Sequence, residues 1–157
     1  MQNDIPETLY DQLVRDEGQK AFAYDDATGA PVSRGTTVEG FVTIGIGVCI
    51  DSRNGSGLTP AEIQSLCQNR IDLARAALLN KWVWARLLDA VRQDALVNMV
   101  YQMGIDGLAE FHQAMTYMQI LDFELAAEAF LDSEWAETQS PARAQRLAEQ
   151  IRTGVRQ

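Results

Sequence analysis

Two carboxylates and a hydroxyl near the start of the chain are of the types that perform acid–base hydrolysis. Glu17 lies in Leu13-Val-Arg-Asp-Glu17-Gly18, Asp26 follows in Tyr24-Asp25-Asp26, and Thr43 stands in Phe41-Val-Thr-Ile-Gly-Ile-Gly47. A proton donor and an ionised base in unlike surroundings are the minimum equipment for breaking a glycosidic bond. Glu17 falls in the last turn of a predicted helix. There the exposed carbonyls disfavour an anion by a few tenths to about 1 kcal/mol, and Asp16 adds to that cost. Such a placement suits a general acid; an exposed surface carboxylate is the other reading. Asp26 is either the base that deprotonates a water or a turn aspartate bonded to its own backbone. Thr43 can hold that water, having both a donor and an acceptor, or simply reflect strand propensity.

The elements that must carry these residues follow from pattern. A first helix is predicted from a cap at Asp4, with Pro6 in its first turn, an apolar stripe of Leu9, Leu13 and Val14, and Gly18 as terminator. Alternation around Phe22 and Tyr24 predicts a strand, Phe41 to Val48 a second one, and the turn-rich stretch from Ala27 to Gly40 a long mobile loop. Gly45 and Gly47 within that second strand predict a close backbone approach. Thr59-Pro-Ala-Glu62 is a capping box that opens a long helix to about Asn80. Short helices follow over about Val83 to Gln102 (either continuous or broken), Asp106 to Gln113, Met115 to Leu121, Phe123 to Leu131 and Pro141 to Arg152. Tyr101 and Gln102 could offer a sugar a stacking face and an amide, or pack internally. Trp82, Trp84 and Trp135 read as core, and His112 as structural or solvated.

Composition narrows the class. The chain has 157 residues, 46% of them hydrophobic, enough for a substantial core in one or two subdomains. With 22 acidic and 13 basic side chains the formal charge is -9, which argues against a nucleic-acid partner and against adhesion to anionic membranes. No apolar run reaches membrane-spanning length, so no membrane insertion is expected. The start Met1-Gln-Asn-Asp lacks the basic head and apolar stretch of a signal peptide. Cys49 and Cys67 lack metal-ligand spacing and are expected to be free, partly buried thiols.

Taken in order, these segments resemble the phage-type lysozymes of glycoside hydrolase family 24, the endolysins of T-even phage type. Further matches are Gly57-Leu-Thr-Pro-Ala-Glu62, Val91-Arg-Gln-Asp-Ala-Leu-Val-Asn-Met-Val-Tyr-Gln-Met-Gly104, Ser133-Glu-Trp135, Pro141-Ala-Arg143-Ala and Arg152-Thr-Gly154. The resemblance implies an α+β lysozyme-like fold, with a small β-containing N-terminal lobe joined by a long helix to a helical C-terminal lobe. One domain over 1–157 is expected, its N-terminal lobe at about 14–58, its bridging helix at about 60–80 and its helical lobe at about 81–157 packed with helix 5–16.

The implied activity is that of a muramidase cleaving the β-1,4 bond between N-acetylmuramic acid and N-acetylglucosamine of peptidoglycan. The resemblance makes Glu17 the proton donor, Asp26 the second catalytic carboxylate and Thr43 its partner on the attacking water. It fixes Asp26 rather than Asp25, the residue after Tyr24 being a spacer. Tyr101, Gln102 and Arg143 match substrate-binding positions, with Arg143 beside the catalytic glutamate. It implies no metal and no cofactor. Inversion at the anomeric carbon is expected, which needs carboxylates ~6.5–9.5 Å apart.

Family analogy further implies a monomer acting on a glycan strand. It would be made in the bacterial host cytoplasm and would reach the wall through a holin-made lesion. The alternative is a catalytically weak wall-binding, tail or secretion-apparatus module. Three departures from the family stand out. The connection from Asp26 to Thr43 is longer than usual. Val48 replaces the histidine that normally follows Gly47. The chain is acidic where such enzymes are commonly basic.

Overall fold

The structure, a computed structural model, describes residues 8–157. The chain forms two compact units, one ending at Ile63 and the other running from Gln64 to Gln157. The architecture is α+β: mostly helical, with one three-stranded antiparallel sheet. Among the described residues no helix is long and apolar enough to cross a membrane.

In the first unit, α1 (Leu9–Glu17) begins at a capping box. The Thr8 hydroxyl accepts from the Asp11 N–H at 3.2 Å, and the Asp11 carboxylate accepts from the Thr8 N–H at 2.9 Å, so two end donors are satisfied reciprocally. The expected start at Asp4 and Pro6 lies outside the described residues. Gly18 ends the helix as expected, at a φ of 75° open to glycine.

β1 (Lys20–Asp25) pairs with β2 (Val42–Gly45), and β2 pairs with β3 (Val48–Cys49). Tyr24 faces Thr43 across the first pairing, and Ile44 faces Val48 across the second. A single strand over Phe41 to Val48 is therefore not what forms. Gly45 and Gly47 take φ of 65° and 69° and fold the segment into a hairpin turn, which an uninterrupted strand cannot contain.

The long segment after Asp26 is more ordered than its composition predicts. Its first arm returns along the outer edge of β1. The Val32 N–H donates to the Ala23 carbonyl at 2.8 Å, the Asp25 N–H donates to the Ala30 carbonyl at 2.9 Å, and Tyr24 bridges Pro31. Lys20 adds a bond to the Gly29 carbonyl at 3.0 Å and sits over the Tyr24 ring at 3.9 Å.

α2 (Pro60–Lys81) opens with the expected capping box, the Glu62 carboxylate accepting from the Thr59 N–H at 2.7 Å. The following helices differ in detail from the sequence pattern. A 3₁₀ turn at Val83–Leu87 precedes α3 (Ala90–Ala109), because Asp89 caps a fresh start by accepting from the Arg92 N–H. Gly104, at φ 76°, kinks α3 where a separate helix from Asp106 was expected. Then come α4 (His112–Gln119), α5 (Phe123–Leu131), a π turn at Trp135–Gln139 and α6 (Pro141–Thr153).

The second unit holds the apolar core. Leu78, Leu96, Met99, Leu108, Met118, Phe130 and Ile151 are fully buried there, and α5 packs on both α4 and α6. Phe111 lies 5.4 Å from Phe130 and edge-on to Trp135 at 5.9 Å. Trp82 and Trp84 pack against this core as expected, and Trp135 is part of it.

Arg92 ties α3 to the end of α6. Its guanidinium donates to the carbonyls of Ile151 at 2.7 Å and Arg152 at 3.0 Å, and stacks on Phe123 at 3.9 Å. Arg92→Met leaves those carbonyls without their donor. A loss of about 2–3 kcal/mol is expected, read by urea unfolding.

Candidate active site

The first unit is built around polar groups. Its buried residues, among those described, are Tyr24, Asp25, Thr43 and Asp51. Glu17 is exposed at the end of α1, and its carboxylate lies over Gly47: a Cβ added there would stand 3.3 Å from Glu17 Oε2. The close approach expected at these glycines is found at Gly47 and not at Gly45, where an added Cβ would meet nothing within 4 Å. Asp16, next to Glu17, is paired with Arg15 at 3.0 Å.

Asp26 and Thr43 meet at a single residue. The Phe41 N–H donates to Asp26 Oδ1 at 2.7 Å, and the Phe41 carbonyl accepts from the Asp26 N–H at 3.1 Å. The same carbonyl accepts from the Thr43 hydroxyl at 3.4 Å. Thr43 is only 3% exposed, so its hydroxyl orientation is set from within the hairpin. Gly40 leaves the room this needs. A Cβ there would fall 2.0 Å from Asp26 Oδ1 and 2.9 Å from the Ala27 backbone nitrogen, closer than atoms can approach.

Two further carboxylates hold the chain on either side of Phe41, and sequence reasoning missed both roles. Asp25 Oδ2 accepts from the Glu39 N–H at 2.7 Å, and its Oδ1 accepts from Gly40 at 2.9 Å and Ala27 at 3.0 Å. Asp51 Oδ2 accepts from the Val42 N–H at 2.9 Å. Asp51 also chelates the Arg53 guanidinium, which reaches the Gly40 carbonyl at 2.5 Å and stands over the Phe41 ring at 5.6 Å. The signal available was Asp51 followed by Arg53, but that spacing is common in turns.

These contacts depress both pKa values. For Asp25 the Glu39 N–H is the largest cause, partly opposed by burial. For Asp51 it is the Arg53 guanidinium, followed by the Val42 and Arg53 N–H groups, and the carboxyl lies well below the usual range.

The other predicted residues belong to the second unit. Tyr101, 50% exposed, and Arg143 line one concavity of about 480 Å³ with Ile71, Arg75, Asp94 and Asn98. Gln102 has internal partners. Its amide oxygen accepts from Trp135 Nε1 at 3.2 Å and its NH₂ donates to the Ser140 hydroxyl at 2.7 Å. His112 is exposed at the start of α4. Cys49 and Cys67 are both free as expected, although Cys67 is exposed rather than partly buried.

Two outcomes follow from the first unit. Gly40→Ala should displace the Asp26 carboxylate, visible as a changed Asp26 carboxyl chemical shift by NMR in a chain that still folds. Carboxyls whose pKa falls on folding contribute stability above their unfolded pKa and lose it as pH drops through the folded value. Stability should therefore hold from about pH 7 to 5 and decline below about pH 4, with a shallower decline in Asp51→Asn, as measured by denaturant titration at each pH.

No family model matches the chain. It is 26% identical to the probable T4-type lysozyme 1 of Dictyostelium discoideum, over 94% of this chain and 95% of that protein. For the probable T4-type lysozyme 2 of the same organism the identity is 27% over the same shares. It is also 30% identical to the pre-baseplate central spike protein Gp5 of Enterobacteria phage T4, across 94% of this chain but 28% of that longer protein. Likeness that runs through nearly the whole sequence, rather than through one shared motif, makes this chain T4-lysozyme-like.

Proposed function

We propose that this protein is a peptidoglycan muramidase, hydrolysing the β-1,4 bond between N-acetylmuramic acid and N-acetylglucosamine. The observation that carries the reading is the Phe41 peptide, bonded to both Asp26 and Thr43 in a chain similar throughout to lysozymes. Glu17 donates its proton to the leaving glycosidic oxygen. Asp26 takes a proton from the attacking water, whose position the Thr43 hydroxyl sets, and the water oxygen bonds to the anomeric carbon. Inversion follows, because the water attacks opposite the departing sugar. Tyr101, Gln102 and Arg143 bind the glycan, Gln102 from the position that Trp135 and Ser140 give it. The enzyme acts as a monomer.

Bacterial lysis as a phage endolysin, after release through a holin-made lesion, is the proposed role. Delivery in place within a phage tail is the second reading. It is favoured by the likeness to the central spike protein and by a charge of -9, which gives no long-range attraction to an anionic wall.

A turbidity assay on cell walls tests the activity. Wild type should clear the suspension, and Glu17→Gln should be slower by about 10²–10⁴-fold. Equal clearing would remove Glu17 as the acid, and no clearing by either would favour a wall-binding module. NMR of fresh products should show the inverted anomer first.

A further inference from the structure

Asp25 has no part in that chemistry, yet at 1% exposure it is among the most buried side chains of the molecule. A buried carboxylate demands compensation, and here three backbone N–H groups supply it. Where those donors lie is what matters. Ala27 opens the long segment after Asp26, while Glu39 and Gly40 close it, so the carboxylate pins the two ends of that segment together. Gly40 leads directly into Phe41, the residue that touches both Asp26 and Thr43. A segment this long has many ways to close, and its last residues gain a fixed position only from what binds them.

We propose that Asp25 is a positioning residue for hydrolysis, its carboxylate fixing, through Glu39 and Gly40, the Phe41 peptide that sets Asp26 against Thr43. The inference rests on the muramidase reading of Asp26 and Thr43. Asp25 acts through the backbone and touches no reacting atom. Its depressed pKa keeps it an acceptor across the working range of pH. In Asp25→Asn, an amide oxygen can retain the Ala27 and Gly40 bonds, but the NH₂ then faces the Glu39 N–H, donor against donor. In Asp25→Ala all three N–H groups lose their acceptor. A shift of even 1 Å in a reacting group can lower a rate about 100-fold without weakening substrate binding.

The test measures kcat and KM on soluble peptidoglycan fragments across pH for the full chain, rates being normalised to the folded fraction. Asp25→Asn should lower kcat at least tenfold with KM within about twofold, and Asp25→Ala should lower it further. The basic limb of the pH profile, set by Glu17, should stay in place. An unchanged kcat in Asp25→Asn overturns the proposal. So does a displaced basic limb, which would make Asp25 act on Glu17 rather than through the Phe41 backbone. Should Asp25→Ala fail to fold, Asp25→Asn alone decides.

NMR of the same proteins supplies a readout independent of turnover. Amide exchange at Glu39 and Gly40 should quicken in Asp25→Asn, and the Asp26 carboxyl and Thr43 methyl signals should move. An inactive wild type would overturn the muramidase reading instead. The positioning of Asp26 and Thr43 would then stand or fall on whether those signals move.

Discussion

The first unit depends on a carboxylate buried where an apolar side chain would ordinarily sit. Asp25 is buried at the end of β1, and its oxygens terminate backbone donors that would otherwise be lost from water. Around Glu39–Val42 nearly every peptide group has a named partner. Asp25 takes the Glu39 and Gly40 N–H, Arg53 takes the Gly40 carbonyl, Asp26 takes the Phe41 N–H, and Asp51 takes the Val42 N–H. Such full accounting is what buried backbone requires. Here it is met largely by side chains, because a short three-stranded sheet has too few ladder bonds to do so alone.

The two units are thus stabilised by different physics. The second is a conventional helical core of Leu, Met, Phe and Trp, held by burial and dispersion. The first relies on directional bonds to carboxylates, which specify a conformation more sharply than apolar contacts do and which respond to acid. A rigid hairpin with fixed hydroxyl and carboxylate positions is what preorganised acid–base chemistry needs. The polar interior and the proposed chemistry are therefore two aspects of one construction.

Much of the helical part was legible in the sequence. Thr59 with Glu62, and Gly18, each announce a helix boundary, because capping is a local property. Glu17, Asp26 and Thr43 could be singled out by residue type and by the order of the motifs. A break between Val83 and Gln102 was one of two readings, but its place at Leu88 and Asp89 was not visible, since Asp89 acts as a cap only once Arg92 is in place. Asp25 was legible only as a spacer. Its role depends on donors from Glu39 and Gly40, far along the chain, and no periodicity encodes a bond from a carboxylate to a distant peptide nitrogen. The turn at Gly45 and Gly47 was hidden by the β-branched and aromatic residues around it, which favour strand whichever way the chain bends.

The arm from Gly29 to Val32 has a meaning beyond the site it leads to. A strand at the side of a sheet offers unpaired N–H and C=O groups to any extended chain, and proteins must blunt such margins. Here the arm occupies that margin of β1, with Pro31, which has no N–H, at the bridge opposite Tyr24. The arm therefore doubles as a guard against self-association. Removing it would free Ala23 and Asp25 to template a neighbouring molecule, so solubility, and not catalysis alone, constrains how this segment can change.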